Sequence, residues 1–221
     1  MYLSRLILNP RARTVQKELA NVYELHRTLM SAFPDDLPKH ERTLFRVDTD
    51  PRTGVPTLLV QSHTQPDWSD LAQRERFLLP EAHWPPHIFA NPAVKSFELD
   101  FAPGQNLIFR LRANPTVKHS EPGERQGRRD PLYREEEQRA WLERKGEHGG
   151  FHIQRLSLIQ EGNQLAWKPR QNDGKRKLTH YAVRFEGLLQ VTAPDALWRT
   201  VQNGIGSAKS FGFGLLSLAP A

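Results

Sequence analysis

Apolar and polar positions along this chain switch between two periods, and the switching repeats. Residues 3–8, holding Leu3, Leu6, Ile7 and Leu8, read as a strand. Val15, Leu19, Val22, His26, Leu29 and Phe33 then recur at alternating spacings of four and three, which predicts one amphipathic helix over 15–32, stopped by Pro34. Strands at 43–47 and 57–62 flank the turn signal Asp50-Pro51-Arg52-Thr53-Gly54, a short helix fits 68–77, and a fourth strand fits 96–101 after a Pro-rich passage. Pro103-Gly104 marks the joint.

The second copy opens at 107–112, where Phe109 and Leu111 share one face and Arg110 and Arg112 the other. A polar loop over 118–130 leads to a helix that Pro131 starts and Gly146, Gly149 and Gly150 end. Strands at 151–158, 164–168 and 178–191, a helix at 194–203 and a strand at 211–218 complete it, with a bulge expected at Gly187. The order strand, helix, strand, strand, helix, strand thus occurs twice. It predicts an α+β protein of two tandem ferredoxin-like (βαββαβ, RRM-like) domains, 1–94 and 95–221, with antiparallel sheets and a cleft between them.

Charge divides the same way. The first 100 residues hold 12 Lys or Arg and 13 Asp or Glu, whereas the remainder hold 19 and 12, so a net −1 and a net +7 make up the total of +6. A basic half favours a polyanionic partner such as nucleic acid. The chain has no cysteine, which excludes a disulfide framework and thiolate metal sites, and His83 and His87 are parted by Trp84-Pro85-Pro86 and cannot share a helix face. No metal and no cofactor is expected. Nor does any segment approach the ~20 apolar residues of a membrane span, and the first apolar run is short for a secretion signal, so a cytoplasmic protein is expected.

Two stretches carry candidate chemistry. Residues 204–214 place Gly204, Gly206, Gly212 and Gly214 around Lys209, a loop whose backbone N–H groups could approach phosphates. It follows a helix and precedes a strand, the reverse of a dinucleotide fingerprint. The other is His26, a polar ring within the apolar stripe, with Tyr23 one turn away and Arg27 beyond it. Either His26 is a core histidine satisfied by backbone groups, or its face overhangs a cleft and offers a proton acceptor, a hydroxyl donor and a cation. The second arrangement suits metal-free RNA cleavage, in which the 2′-hydroxyl loses a proton and the leaving 5′-oxygen gains one. A pure RNA-binding module and a small-molecule nucleotide enzyme stay open beside it.

The run Leu6-Ile7-Leu8-Asn9-Pro10, the segment Asn21-Val22-Tyr23-Glu24-Leu25-His26-Arg27-Thr28-Leu29, Pro66-Asp67-Trp68-Ser69, the strand Phe109-Arg110-Leu111-Arg112-Ala113-Asn114-Pro115 and the glycine-rich ending resemble the CasE family. These are CRISPR RNA-processing endoribonucleases of the type I-E Cascade complex. The resemblance implies two ferredoxin-like domains side by side, the first carrying the catalytic helix and the second a basic hairpin and the glycine-rich loop. It also implies metal-independent cutting at the base of the repeat hairpin, 2′,3′-cyclic phosphate and 5′-hydroxyl ends, and retention of the product with other Cascade subunits. The alternative is a non-catalytic subunit that binds the RNA hairpin.

By matching motif, His26 and Tyr23 take the catalytic positions. Some related nucleases add a lysine, but Ser31 stands on the helix here and Lys39 follows Pro34, so that role is unassigned. Around the turn Asn172-Asp173-Gly174, the cations Lys168, Arg170, Lys175, Arg176 and Lys177 resemble the family's groove-contacting hairpin. With Arg27, Gly204, Gly206, Lys209, Gly212 and Gly214 they make up the expected RNA-binding set; Arg125, Arg128 and Arg129 are lesser candidates. A paired stem hides its base edges, so contacts should read shape, phosphates and 2′-hydroxyls.

Overall fold

Leu6 and Ile7 lie on opposite faces of β1 (Tyr2–Ile7), yet both are buried, Leu6 beside Leu25, Leu29, Phe45 and Leu58, and Ile7 beside Leu79 and Ile88. The first sheet is therefore covered on both sides. The computed structural model describes residues 1–38, 41–119, 128–169 and 174–221. Its chain forms two units, one of Met1–Glu98 with Leu165–Leu178 and Ser210–Gly212, the other of Leu99–Gln164, Thr179–Lys209 and Phe213–Ala221.

In the first unit β1 is followed by α1 (Arg13–Ala20), α2 (Val22–Met30), β2 (Leu44–Thr49), β3 (Pro56–Ser62), α3 (Ser69–Gln73) and β4 (Ala93–Ser96). The sheet order is β2-β3-β1-β4, antiparallel throughout. Trp68 is buried over this sheet, its indole N–H donating 3.0 Å to the Ser4 hydroxyl. In the turn before β3 the Asp50 carboxylate accepts from the N–H groups of Arg52 and Thr53, as its sequence leads one to expect.

The second unit contains β5 (Asn106–Ala113), β6 (Thr116–His119), β7 (Arg128–Pro131), α4 (Glu135–Gly149), β8 (Phe151–Pro169), β9 (Lys175–Val191), α5 (Pro194–Asn203) and β10 (Leu216–Pro220). Its sheet order is β10-β5-β9-β8, so in both units the strands run fourth, first, third, second. This is the tandem ferredoxin-like fold. Its core is built on Phe109, Leu111, Trp141, Leu142, Phe151, Phe185 and Leu197. Among the described residues no helix is long and apolar enough to cross a membrane.

The strands expected at 151–158 and 164–168 are one continuous strand, β8, and the helix expected over 68–77 is the shorter α3. Four further elements differ from the sequence expectation, each for a local reason. The helix over 15–32 is two helices, broken at Asn21, whose backbone leaves the helical region at φ −132°, ψ 86°. The fourth strand comes at Ala93–Ser96 rather than 96–101, because its register is set by β1, with Tyr2 opposite Ser96 and the Phe97 N–H bonded to the Met1 carbonyl. The helix expected from Pro131 starts at Glu135, since Pro131 closes a ribbon of β6 and β7 within the expected polar loop; its acidic first turn, Glu135 to Glu137, suits the helix dipole. The last strand starts at Leu216 rather than at 211 because Gly212 and Gly214 hold left-handed backbone, with the Gly214 N–H bonded to the Arg112 carbonyl.

Candidate active site

The break at Asn21 decides how α2 presents its side chains. Val22, Leu25 and Leu29 are buried, so the apolar stripe runs through Leu25, and His26 stands beside it half-buried. Its ring lies parallel to that of Phe45, with centroids 6.0 Å apart and planes 9° apart. Its Nδ1 is shielded from solvent with no hydrogen-bond partner among the described residues. Burial holds the His26 imidazole below its ordinary pKa, so it is neutral at neutral pH, the form that accepts a proton.

His26, Tyr23 and Arg27 all line one cavity of about 730 Å³, together with Met30, Ser31, Asp35, Lys168, Arg176, Leu178, Ser210 and Phe211. The predicted trio is thus brought together, with two hairpin cations. Lys168 extends its ammonium to 6.0 Å from the centre of the Tyr23 ring. Arg27 is exposed and bonded at 3.0 Å to Glu24, one turn earlier, a pair whose exposure makes it weak. Ser31 turns its hydroxyl to the Thr28 carbonyl at 2.8 Å. Lys177 lies 5.9 Å over the Trp167 ring. Arg125, Arg170 and the side chain of Lys175 fall outside the described residues.

The glycine-rich loop is divided between the units. Gly204, Gly206 and Lys209 line a second cavity, of about 430 Å³, with Lys118, Arg129, Lys145 and His148. Gly212 instead packs against Phe45, where a Cβ would stand 3.2 Å from the ring that faces His26. A Cβ on Gly214 would meet the Ile205 carbonyl at 2.8 Å, so that glycine permits a close backbone crossing.

Two contributors escape a reading of the sequence alone. Phe45 looks like any core strand residue, and nothing in its neighbours announces a ring under the histidine. Asn21 carries a signal, a short amide inside a helical stripe, where such residues compete with the backbone for hydrogen bonds. Its side chain accepts from the Trp167 N–H at 2.9 Å and donates to the Trp167 carbonyl at 3.2 Å. Among the described residues no three His, Asp or Glu side chains gather as metal ligands do.

With chemistry of this kind in an open, cation-lined cavity, relatives of the chain are informative. It is 38% identical to the CRISPR-associated endoribonuclease Cse3 of Thermus thermophilus and 32% identical to the CRISPR system Cascade subunit CasE of Escherichia coli K12, each match covering all of both chains. A solved structure of the endoribonuclease Cse3 bound to a 19 nt RNA matches with a TM-score of 0.83 at 35% identity, again over the full length of both chains. A family model described as CRISPR associated protein matches residues 1–220. The chain belongs to the CRISPR associated protein family.

Proposed function

We propose that the chain is a metal-independent endoribonuclease that cuts CRISPR precursor RNA at the base of the repeat hairpin and keeps the product within Cascade, in the cytoplasm. The observation that carries this is a half-buried imidazole that lines one cavity with Tyr23 and with the cations Arg27, Lys168 and Arg176. The endoribonuclease and Cascade relatives, one of them solved with RNA bound, support the substrate class.

In this mechanism His26 takes the 2′-hydroxyl proton as the 2′-oxygen bonds to the adjacent phosphorus. The bond from phosphorus to the 5′-oxygen breaks, and the Tyr23 hydroxyl supplies the proton that oxygen needs. Negative charge grows on the nonbridging oxygens, where Arg27, Lys168 and Arg176 offer compensation. The products are a 2′,3′-cyclic phosphate and a 5′-hydroxyl, and the protons balance when the one gained by His26 passes through solvent to the Tyr23 oxygen, restoring both groups. The hairpin cations hold the stem through its phosphates, in the salt-dependent manner of such contacts. Gly204, Gly206 and Lys209, which line a cavity of the second unit, offer further RNA contacts, whereas Gly212 and Gly214, expected in the same set, are buried and serve the local backbone instead.

The test uses a repeat hairpin, all ribose or with a single 2′-deoxyribose at the cut, in excess EDTA. Both RNAs are expected to bind and only the ribose one to be cut. Cutting of the deoxy substrate, or a need for added divalent metal, overturns the mechanism; binding without cutting of either makes the chain the hairpin-binding subunit instead.

A further inference from the structure

Asn21 does two things at once. Its backbone carbonyl accepts the first bonds of α2, from the N–H groups of Glu24 at 2.9 Å and Leu25 at 3.3 Å, and so sets the frame from which Tyr23 and His26 project. Its side-chain amide, which carries a donor and an acceptor in one plane, pairs with both backbone polar groups of Trp167, as a strand neighbour would. The residue after Trp167 is Lys168, whose ammonium reaches the Tyr23 ring and lines the cavity of His26. A lysine on a flexible four-carbon stem is placed only as well as its backbone is placed. One asparagine therefore ties the frame of Tyr23 and His26 to that of a hairpin cation in their cavity. Asn21 is half-buried and is not itself among the residues that line the cavity of His26.

We propose that Asn21 is a positioning residue for RNA cleavage: by gripping the Trp167 backbone at two points it holds Lys168 beside Tyr23 and His26, where the ammonium meets the reacting phosphate. This rests on the endoribonuclease function proposed above. A displacement of about 1 Å at a reacting group can lower a rate about 10²-fold, so the grip acts on the chemical step more than on hairpin affinity.

A double-mutant cycle on the full chain tests it, with single-turnover cleavage of the all-ribose hairpin at saturating protein and, separately, hairpin affinity. Asn21→Ala and Lys168→Ala are each expected to slow cleavage, Lys168→Ala by about 10²-fold and Asn21→Ala by a similar or smaller factor, with affinity changed only a few-fold. In the Lys168→Ala background, Asn21→Ala should add almost nothing. Asn21→Asp, which keeps the size and the acceptor but sets a carboxylate against the Trp167 carbonyl, should slow cleavage with circular dichroism and Tm near wild type. Multiplying effects in the double variant overturn the proposal, as does loss of fold in both Asn21 variants, which makes Asn21 a residue of the fold. A wild type that binds without cutting counts instead against the endoribonuclease function itself.

Discussion

The two units share a strand order and differ in what they do with the helical crossover after their first strand. In the second unit α4 runs unbroken over 15 residues and buries Trp141 and Leu142. In the first unit the crossover breaks at Asn21, and its second half brings Tyr23, His26 and Arg27 to a cavity. Each unit also holds one half-buried histidine against a phenylalanine, and burial lowers the pKa of both. His180 meets Phe213 edge-on and has Asn114 at 3.4 Å from its Nδ1, whereas His26 lies parallel to Phe45 with its Nδ1 unpartnered among the described residues. Desolvation alone therefore does not single out a reactive ring. What distinguishes His26 is its company: the Tyr23 phenol and the cations Arg27, Lys168 and Arg176 line its cavity, whereas the cavity lined by His180 has the aliphatic hydroxyls of Thr116, Thr179 and Ser207 with Arg129.

That contrast breaks most readily at the histidines. His26→Ala is expected to slow single-turnover cleavage by about 10²–10⁴-fold with hairpin affinity nearly kept, while His180→Ala leaves cleavage within a few-fold. Comparable losses from both would remove the distinction between the units. Folding offers a second lever. At Gly150, φ is +78° and an added Cβ would lie 2.3 Å from the Ala193 carbonyl, whereas Gly54, at φ +69°, has open space around it. Urea denaturation should show Gly150→Ala destabilising by about 2–3 kcal/mol and Gly54→Ala by about 1 kcal/mol. The smallest effect is expected of Glu24→Gln, which frees Arg27: stability shifts by less than about 1 kcal/mol, and hairpin affinity rises modestly at low salt and not at high salt.

Periodicity made the tandem fold legible, because apolar spacing follows the element that produces it. α5 and the central strands β3 and β5 show this, each bounded within a residue or so of its pattern. β4 and β10 were not legible, since their limits depend on where a partner strand ends and on left-handed glycines. The helix break was hidden for a different reason. The stripe from Val15 to Phe33 continues through Asn21 without a fault, and what holds its amide lies 146 residues away at Trp167. His26, Tyr23 and Arg27 could be picked out as one face of a helix, but the Phe45 ring and the arrival of Lys168 belong to tertiary packing.

The most direct test of a neutral His26 acting as the base is the pH dependence of single-turnover cleavage, for wild type and His26→Ala. Burial places the imidazole below its usual value of about 6.5, so the ring loses its proton as pH rises through that lowered point. The wild-type rate should climb with pH through an inflection below about 6.5 and then level off, and the inflection should vanish in His26→Ala. A rate that falls with rising pH over this range, or an inflection that survives the substitution, contradicts the role given to this ring.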